Sequence, residues 1–485
     1  MKKIGLALSL ILVVLSVAIT GGGCSASHNA RTYYQITCNL SENVLSGKQT
    51  VEFYNHTDNT VSEVKFNLHA NAFRKGAKYS PIGAQYVSRA YPNGINYGDF
   101  VVNTVKVQGK TTEYSICGVD QNVLSVPLQE ELFPQERVCI EIDYCINLAN
   151  VVARTGVNSK TVNLANFYPI VCGIDDNGFY ECVYYADGDP YYSDCADYKV
   201  TFSCDNKYTV ASSGKLVDST VDGNMTKRNY VLDNARSFAL VVSENFETVS
   251  EISNGLEINY YYYNDSNPTA SFEYIKKSLE YFTNTFGNYP YPTYSVVQTK
   301  FIQGGMEFPA LVMISDNLEE KAYGEVIVHE TAHQWWQTGV GNNEIECGFL
   351  DEGLAEYSVV LFYENYSEYG MDRKTLISAS EKTYKVFCSV YDKILGGVNT
   401  TMLRSLKDFS SEYEYVNIAY IKPCIMYDYL RETIGDQMFF KGLKTYYKNY
   451  CFKNAQPYDI VGVYEKLGAD TNGFFRSFYD GKVII

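Results

Sequence analysis

His329 and His333 stand four residues apart, with Glu330 directly after the first. On a helix, residues i and i+4 share a face, so the two imidazoles can aim nitrogens at one point about 2 Å from each. A catalytic metal held there needs a third protein ligand and an open position. Glu352, with eighteen residues between it and His333, supplies a carboxylate at the start of a further helical run. The set His329, His333, Glu352 leaves one vertex for a water whose pKa the metal would lower to roughly 7. Glu330 stands beside that vertex as general base. One turn after the third ligand, Glu356 can accept an imidazole N–H. The bland alternative is an ordinary pair of helix-face histidines and solvated glutamates near a helix N-terminus.

Such a site needs helices to carry it and a sheet to pack them on. Helical periodicity runs over 269–286, 319–338 and 354–366, with several further stretches from 373 onward. Before them, from 31 to about 247, short runs such as "YYQITCNL", "KQTVEFYN" and "RVCIEIDYCINL" alternate apolar and polar residues between Asn, Asp and Gly. That texture predicts antiparallel strands. A chain of 485 residues exceeds one ordinary core. The expected fold is therefore multidomain, β plus α+β. It comprises an N-terminal antiparallel β domain over 33–247 and a mixed, mainly helical domain over 248–485.

With these residues in view, the sequence resembles the gluzincin metallopeptidases and, within them, the aminopeptidase N family. The resemblance rests on H-E-x-x-H, eighteen residues, then Glu, within "HETAHQWW" and "FLDEGLAEY", and on "GGMEFPALVMIS", "FGNYPYP" and "YADGDPYYSDCADYKVTF". It implies a saddle-like front sheet, a thermolysin-like catalytic domain, one Zn2+ per chain and peptide substrates with a free N-terminus. It also implies that Glu307 binds the substrate's α-ammonium, with Gly304, Gly305 and Met306 along the peptide. Tyr420, in "VNIAYIKPC", would stabilise the oxyanion, and Tyr415 is a second candidate. The chain departs from the family pattern at Phe308 (usually Asn), Pro423 (usually Gly) and Asp351 (often Asn). It ends where the family's catalytic domain ends, which implies a short bacterial form with a more open cleft.

Lys2 and Lys3 precede an apolar run from Ile4 to Ile19, then Gly21–Gly23 and Cys24. This reads as a signal peptide over 1–23, lipidation of Cys24 and a linker over 24–32, with Gly21 departing from the usual large aliphatic. The expected location is extracytoplasmic, membrane-anchored through lipid or leader, or secreted. A net charge of −16 with no basic stripe argues against nucleic acid. The twelve cysteines beyond Cys24 split evenly between the halves and leave disulfides and buried thiols both open. The 45 tyrosines suggest half-wet strand surfaces. Two other functions stay open: a gluzincin endopeptidase or other hydrolase without a strict N-terminal requirement, and a metal-binding adhesion lipoprotein.

Overall fold

A computed structural model describes residues 30–483 and Ile485. The signal peptide and the lipidation expected at Cys24 lie outside the described residues. Among the described residues, no helix is long and apolar enough to cross a membrane.

The front half is built on an eight-stranded sheet. Its strands are β1 (Thr32–Ser41), β2 (Val44–Tyr54), β3 (Asp99–Val107), β4 (Lys110–Thr111), β5 (Arg137–Asn147), β6 (Ala196–Asp205), β7 (Lys215–Asp222) and β8 (Met225–Ala235). They lie in the order β7-β8-β6-β1-β2-β5-β3-β4. Alternation dictates the strands: Tyr34, Ile36, Cys38 and Leu40 of β1 are buried, and the residues between them face solvent. The sheet is not purely antiparallel. β1 runs parallel to β6, Thr32 opposite Ala196. Alternation fixes which face a side chain takes but carries no strand direction, and a connection of more than 150 residues leaves the direction free.

The tyrosines are the other departure. Tyr34 and Tyr198 stack in the core with ring centroids 4.9 Å apart, and Tyr144, Tyr168 and Tyr198 are fully buried. The hydroxyls of Tyr34, Tyr168 and Tyr198 reach backbone partners, as where the Phe238 N–H donates to the Tyr168 hydroxyl at 3.0 Å, so burial need not leave a polar tip unsatisfied. Of the described cysteines, Cys38, Cys117, Cys145, Cys172, Cys182, Cys195, Cys204, Cys347, Cys388, Cys424 and Cys451 are free thiols.

The back half opens with a five-stranded sheet of β9 (Glu247–Ser253), β10 (Leu256–Tyr262), β11 (Thr293–Thr299), β12 (Gly305–Phe308) and β13 (Leu311–Ser315). Its order is β9-β10-β11-β13-β12, which puts β12 at an edge. Helix α1 (Pro268–Phe286) buries Phe272, Ile275, Leu279, Phe282 and Phe286 at helical spacing, and the Asn267 side chain caps its N-terminus. It packs on α2 (Glu320–Ala332), which packs on α3 (Phe349–Asn365), and α3 packs in turn on α5 (Lys422–Ile434). Helix α4 (Arg373–Leu395) covers α5 from outside. α3 buries fourteen of its 17 residues and is the central helix.

α2 ends at Ala332, short of the expected 338, because the chain turns there to drive Trp335 and Trp336 into the core. Their indole N–H groups donate to the Gly287 carbonyl at 2.8 Å and the Ser358 hydroxyl at 3.1 Å.

One contact sets the spacing of α3 and α5. A Cβ on Gly353 would lie 2.4 Å from the Pro423 Cβ, so only glycine lets the helices approach this closely. Gly353→Ala gains up to about 1 kcal/mol of helix propensity but must displace Pro423 at a cost of about 1–3 kcal/mol. A thermal melt should show the variant lowered by a few degrees; an unchanged or raised midpoint would mean the helices can separate freely.

Candidate active site

α2 carries His329 and Glu330, and His333 caps its C-terminus while keeping helical backbone angles. Glu352 sits in the first turn of α3, and the packing of α2 on α3 brings the three ligand candidates together. His329 Nε2 and His333 Nε2 are each 3.2 Å from Glu352 Oε2, and the two nitrogens are 3.1 Å apart. Ligand atoms about 2.0–2.2 Å from a tetrahedral ion stand roughly 3.3 Å from one another, so this triangle has zinc dimensions.

The partners on the far side of each ring fix the tautomers. His333 Nδ1 lies 2.8 Å from the Trp336 carbonyl, which can only accept, so Nδ1 carries the proton and Nε2 faces Glu352. His329 Nδ1 lies 3.2 Å from Glu356 Oε2. Neutral rings so fixed bring two lone pairs and a carboxylate oxygen together, an arrangement that repels unless a cation sits among them. The electrostatics agree. Burial disfavours charge on His329, yet Glu352 and Glu356 outweigh it and push its pKa up to about 10. Burial likewise opposes charge on His333, and Glu307 and Glu352 raise it nonetheless.

Glu330 is 5% exposed, and its Oε2 has no hydrogen-bond partner. Burial pushes its carboxyl up to about 7 against the pull of His329 and His333. The edge strand β12 lies against it. A Cβ on Gly305 would stand 2.3 Å from Glu330 Oε1, so glycine here makes room for the carboxylate. Beside Gly304, by contrast, the nearest atom would be 3.5 Å away, and its carbonyl accepts from the Ser315 N–H at 2.9 Å.

Strand alternation turns Gly305 and Glu307 to the cleft and Met306 and Phe308 away from it. Glu307 is buried, and its Oε1 has no partner. Burial raises its pKa well above the usual carboxylate range. Met306, expected along the substrate, instead packs with Phe308, Leu311 and Met313 in a small apolar cluster. Phe308 therefore fills core where the family has a polar residue.

Tyr420 sits in a wide π-helical turn, Asn417–Ile421, just before Pro423. Pro423 has no N–H to return to residue 419, and the wide turn absorbs the loss. The Tyr420 hydroxyl donates to Glu352 Oε1 at 2.5 Å. Tyr415 packs edge-on to Tyr420, with ring centroids 5.7 Å apart, and lines the same cleft. Asp351 Oδ1 accepts from Asn342 Nδ2 at 3.0 Å, and burial together with Glu352 pushes its carboxyl up to about 7.

The cleft encloses about 430 Å³ and is lined by eight carboxylates and one guanidinium besides the two imidazoles. Several of these groups were not singled out from the sequence. Arg154 and Asp189 form an ion pair at 2.5 Å on the front-domain wall. Tyr86 donates to Glu412 Oε2 at 2.8 Å and so links the front domain to the back. Glu344 is buried beside Glu307 and Asp189. The run "DGDP" that contains Asp189 signals a tight turn, and such a loop could have been read as lining a site. Arg154 and Glu344 carry no local signal.

Residues 270–478 match the peptidase family M1 domain. Aminopeptidase N of Streptomyces lividans is 23% identical over 235 residues, 44% of this chain and 26% of that protein. Aminopeptidase N of Lactococcus lactis subsp. lactis is 25% identical over 228 residues, 42% of this chain and 25% of that one. The chain thus spans about a quarter of the length of these relatives. Among solved structures, the M1 zinc metallopeptidase of Deinococcus radiodurans superposes with a TM-score of 0.67 at 16% identity, covering 94% of this chain and 96% of that one. A mutant of it bound to a Tyr-Ser-Ala substrate gives 0.65 at 17%, covering 93% and 94%. Residues 270–478 thus match the peptidase family M1 domain, and the chain as a whole has the two-part fold of the M1 zinc metallopeptidases.

Proposed function

We propose that the chain is a zinc-dependent aminopeptidase that removes N-terminal residues from peptides. The observation that carries this reading is a pairing within one cleft. A triangle of two imidazoles and a carboxylate with zinc dimensions lies next to Glu307, whose buried Oε1 has no hydrogen-bond partner among the described residues. One oxygen each from Glu307 and Glu330 and one nitrogen of His333 all lie within 4.8 Å of one another, so the two functions adjoin. A buried carboxylate with a free oxygen at that distance suits the ammonium of a peptide's first residue and fixes how far the next carbonyl stands from His333.

His329, His333 and Glu352 would hold one Zn2+, which when bound supplies Lewis acidity towards water and a peptide carbonyl. Glu356 and the Trp336 carbonyl keep the two imidazole Nε2 atoms aimed. Glu330 takes the proton of the attacking water on its free oxygen and passes it to the leaving amine. The Tyr420 hydroxyl exchanges its Glu352 acceptor for the carbonyl oxygen as negative charge develops there. β12, at the sheet edge, offers backbone groups along which a peptide can lie extended.

The test is zinc content together with turnover of a panel of aminoacyl-aminocoumarin substrates, before and after chelation. One zinc per chain and chelator-sensitive turnover are expected; neither zinc nor turnover would sink the reading. N-acetylation of a substrate should cost at least about 10²-fold in kcat/KM, because it removes the charge Glu307 pairs with. Efficient cleavage of the acetylated form would favour the endopeptidase reading. Glu330→Gln should keep its zinc and lose about 10²–10⁴-fold in kcat. Retention of its biological effect by that variant would favour a binding protein. Tyr420→Phe should lower kcat by about 10²-fold or more, with KM and zinc little changed. Loss of zinc instead would assign Tyr420 to holding Glu352.

A further inference from the structure

Helix α4, on the outside of the back half, leaves an apolar stripe in water. Its Val386, Val390 and Ile394 recur every four residues and so share one face. They are 49%, 37% and 73% exposed, and Leu395 beside them is 64% exposed. The opposite face of the same helix packs into the core through Ile377, Tyr384, Phe387 and Cys388. Tyr413, 43% exposed, widens the stripe on one side, its ring packing on Phe387 and Tyr391 with centroids 5.8 and 6.3 Å away. Along the other edge stand the exposed Lys382 and Lys393, with Lys385 and Asp392 further round the helix. Lys385 leans towards Glu381 at 3.8 Å. The helix holds five basic side chains against two acidic ones, in a chain whose net charge is −16.

We propose that this face of α4 docks on an anionic lipid bilayer, with Val386, Val390, Ile394 and Leu395 at the acyl boundary and Lys382 and Lys393 on the headgroups. A helix that lies flat in the interface needs an apolar strip edged by cations. Lysine stems stay with such a strip while their ammonium groups reach headgroup charge. A tyrosine at the rim suits the boundary, because one end of its ring is apolar and the other wet. A chain of net charge −16 is repelled by an anionic surface unless it presents a basic face, so the lysines set the orientation of docking as well as adding to its strength. A protein partner would be met by a groove or by rigid, directional donors, whereas here the cations are flexible point charges and the apolar side chains form a ridge. Glu412, the neighbour of Tyr413, lines the cleft, so docking through this face brings one wall of the cleft close to the lipid. The surface lies outside the catalytic machinery and does not depend on the aminopeptidase reading.

The experiment reads the contact locally, in the full chain. Trp335 and Trp336 are buried, so a tryptophan introduced by Ile394→Trp supplies a solvent-sensitive signal. Ile252→Trp serves as control, since Ile252 is 76% exposed on another element, β9. Each variant is mixed at low salt with vesicles of phosphatidylcholine and phosphatidylglycerol whose acyl chains carry bromine, and with vesicles of brominated phosphatidylcholine alone. The expected result is a blue shift and quenching in Ile394→Trp, half-saturated at about tenfold less lipid when phosphatidylglycerol is present, with little change in Ile252→Trp. Adding Lys382→Gln and Lys393→Gln should raise the half-saturating lipid concentration about 25-fold, at about fivefold per lysine, and high salt should act the same way. Melting midpoints should hold throughout, because every substituted side chain is exposed. Absence of quenching in Ile394→Trp, equal quenching in Ile252→Trp, or indifference to the two lysines would overturn the proposal. A blue shift in Ile394→Trp that needs no vesicles and grows with protein concentration would also overturn it, by giving the ridge to a second copy of the chain.

Discussion

Buried like charge is the constraint on which the rest of this molecule depends. Asp189, Glu307, Glu330, Glu344, Asp351 and Glu352 are all buried in one region, with Arg154 and two imidazoles lining the cleft among them and Arg236 and His69 lining the small cavity behind it. Removing six carboxylates from water at such spacing costs far more than their local hydrogen bonds return. The group is tolerable only as one half of an electrostatic pair whose other half arrives from outside, as an ion or as a charged substrate. The raised pKa values of Glu307, Glu330 and Asp351 are one symptom of this debt, and the upward push on His329 and His333 is the other.

Holding those groups still demands an apolar frame with little freedom. Trp335 and Trp336 pin the segment after α2, and fourteen buried residues make α3 a central strut. Two glycines work by having no side chain: Gly305 where β12 meets Glu330, and Gly353 where α3 meets Pro423. Each stands next to a charged group, so space and charge are arranged by the same few residues. The wide turn at Tyr420 shows the same economy, since it lets a proline replace a residue with an N–H and still aims the phenol at Glu352.

The parts of this site legible in sequence were those carried by short-range spacing. His329, Glu330 and His333 lie within one helical repeat, and a fixed interval locates Glu352, so local periodicity sufficed. Strand alternation placed the front sheet in outline. It did not reveal the parallel pairing of β1 with β6, because pleating is blind to direction. Asp189, Arg154 and Glu344 escaped notice because their proximity is purely tertiary, joining residues separated by up to 190 positions. The Met306 side chain, expected along the substrate, packs on the other face of β12 for a simpler reason: in a strand, the neighbour of an inward residue faces the other way. Tyrosine abundance suggested wet surfaces, yet many rings are core, and backbone groups that composition cannot disclose meet hydroxyls such as those of Tyr34, Tyr168 and Tyr198.

The ion pair of Arg154 with Asp189 belongs to the front sheet's half of the chain, and Tyr86 of that half reaches across to Glu412 of the other. The cleft is therefore a seam between two folding units, not a hole in one of them. A ligand that fills it stitches the seam, and by mass action whatever occupies the cleft must add to the adhesion between the halves as much as that adhesion adds to its binding. Proteolytic susceptibility, local opening and occupancy then become readings of a single equilibrium.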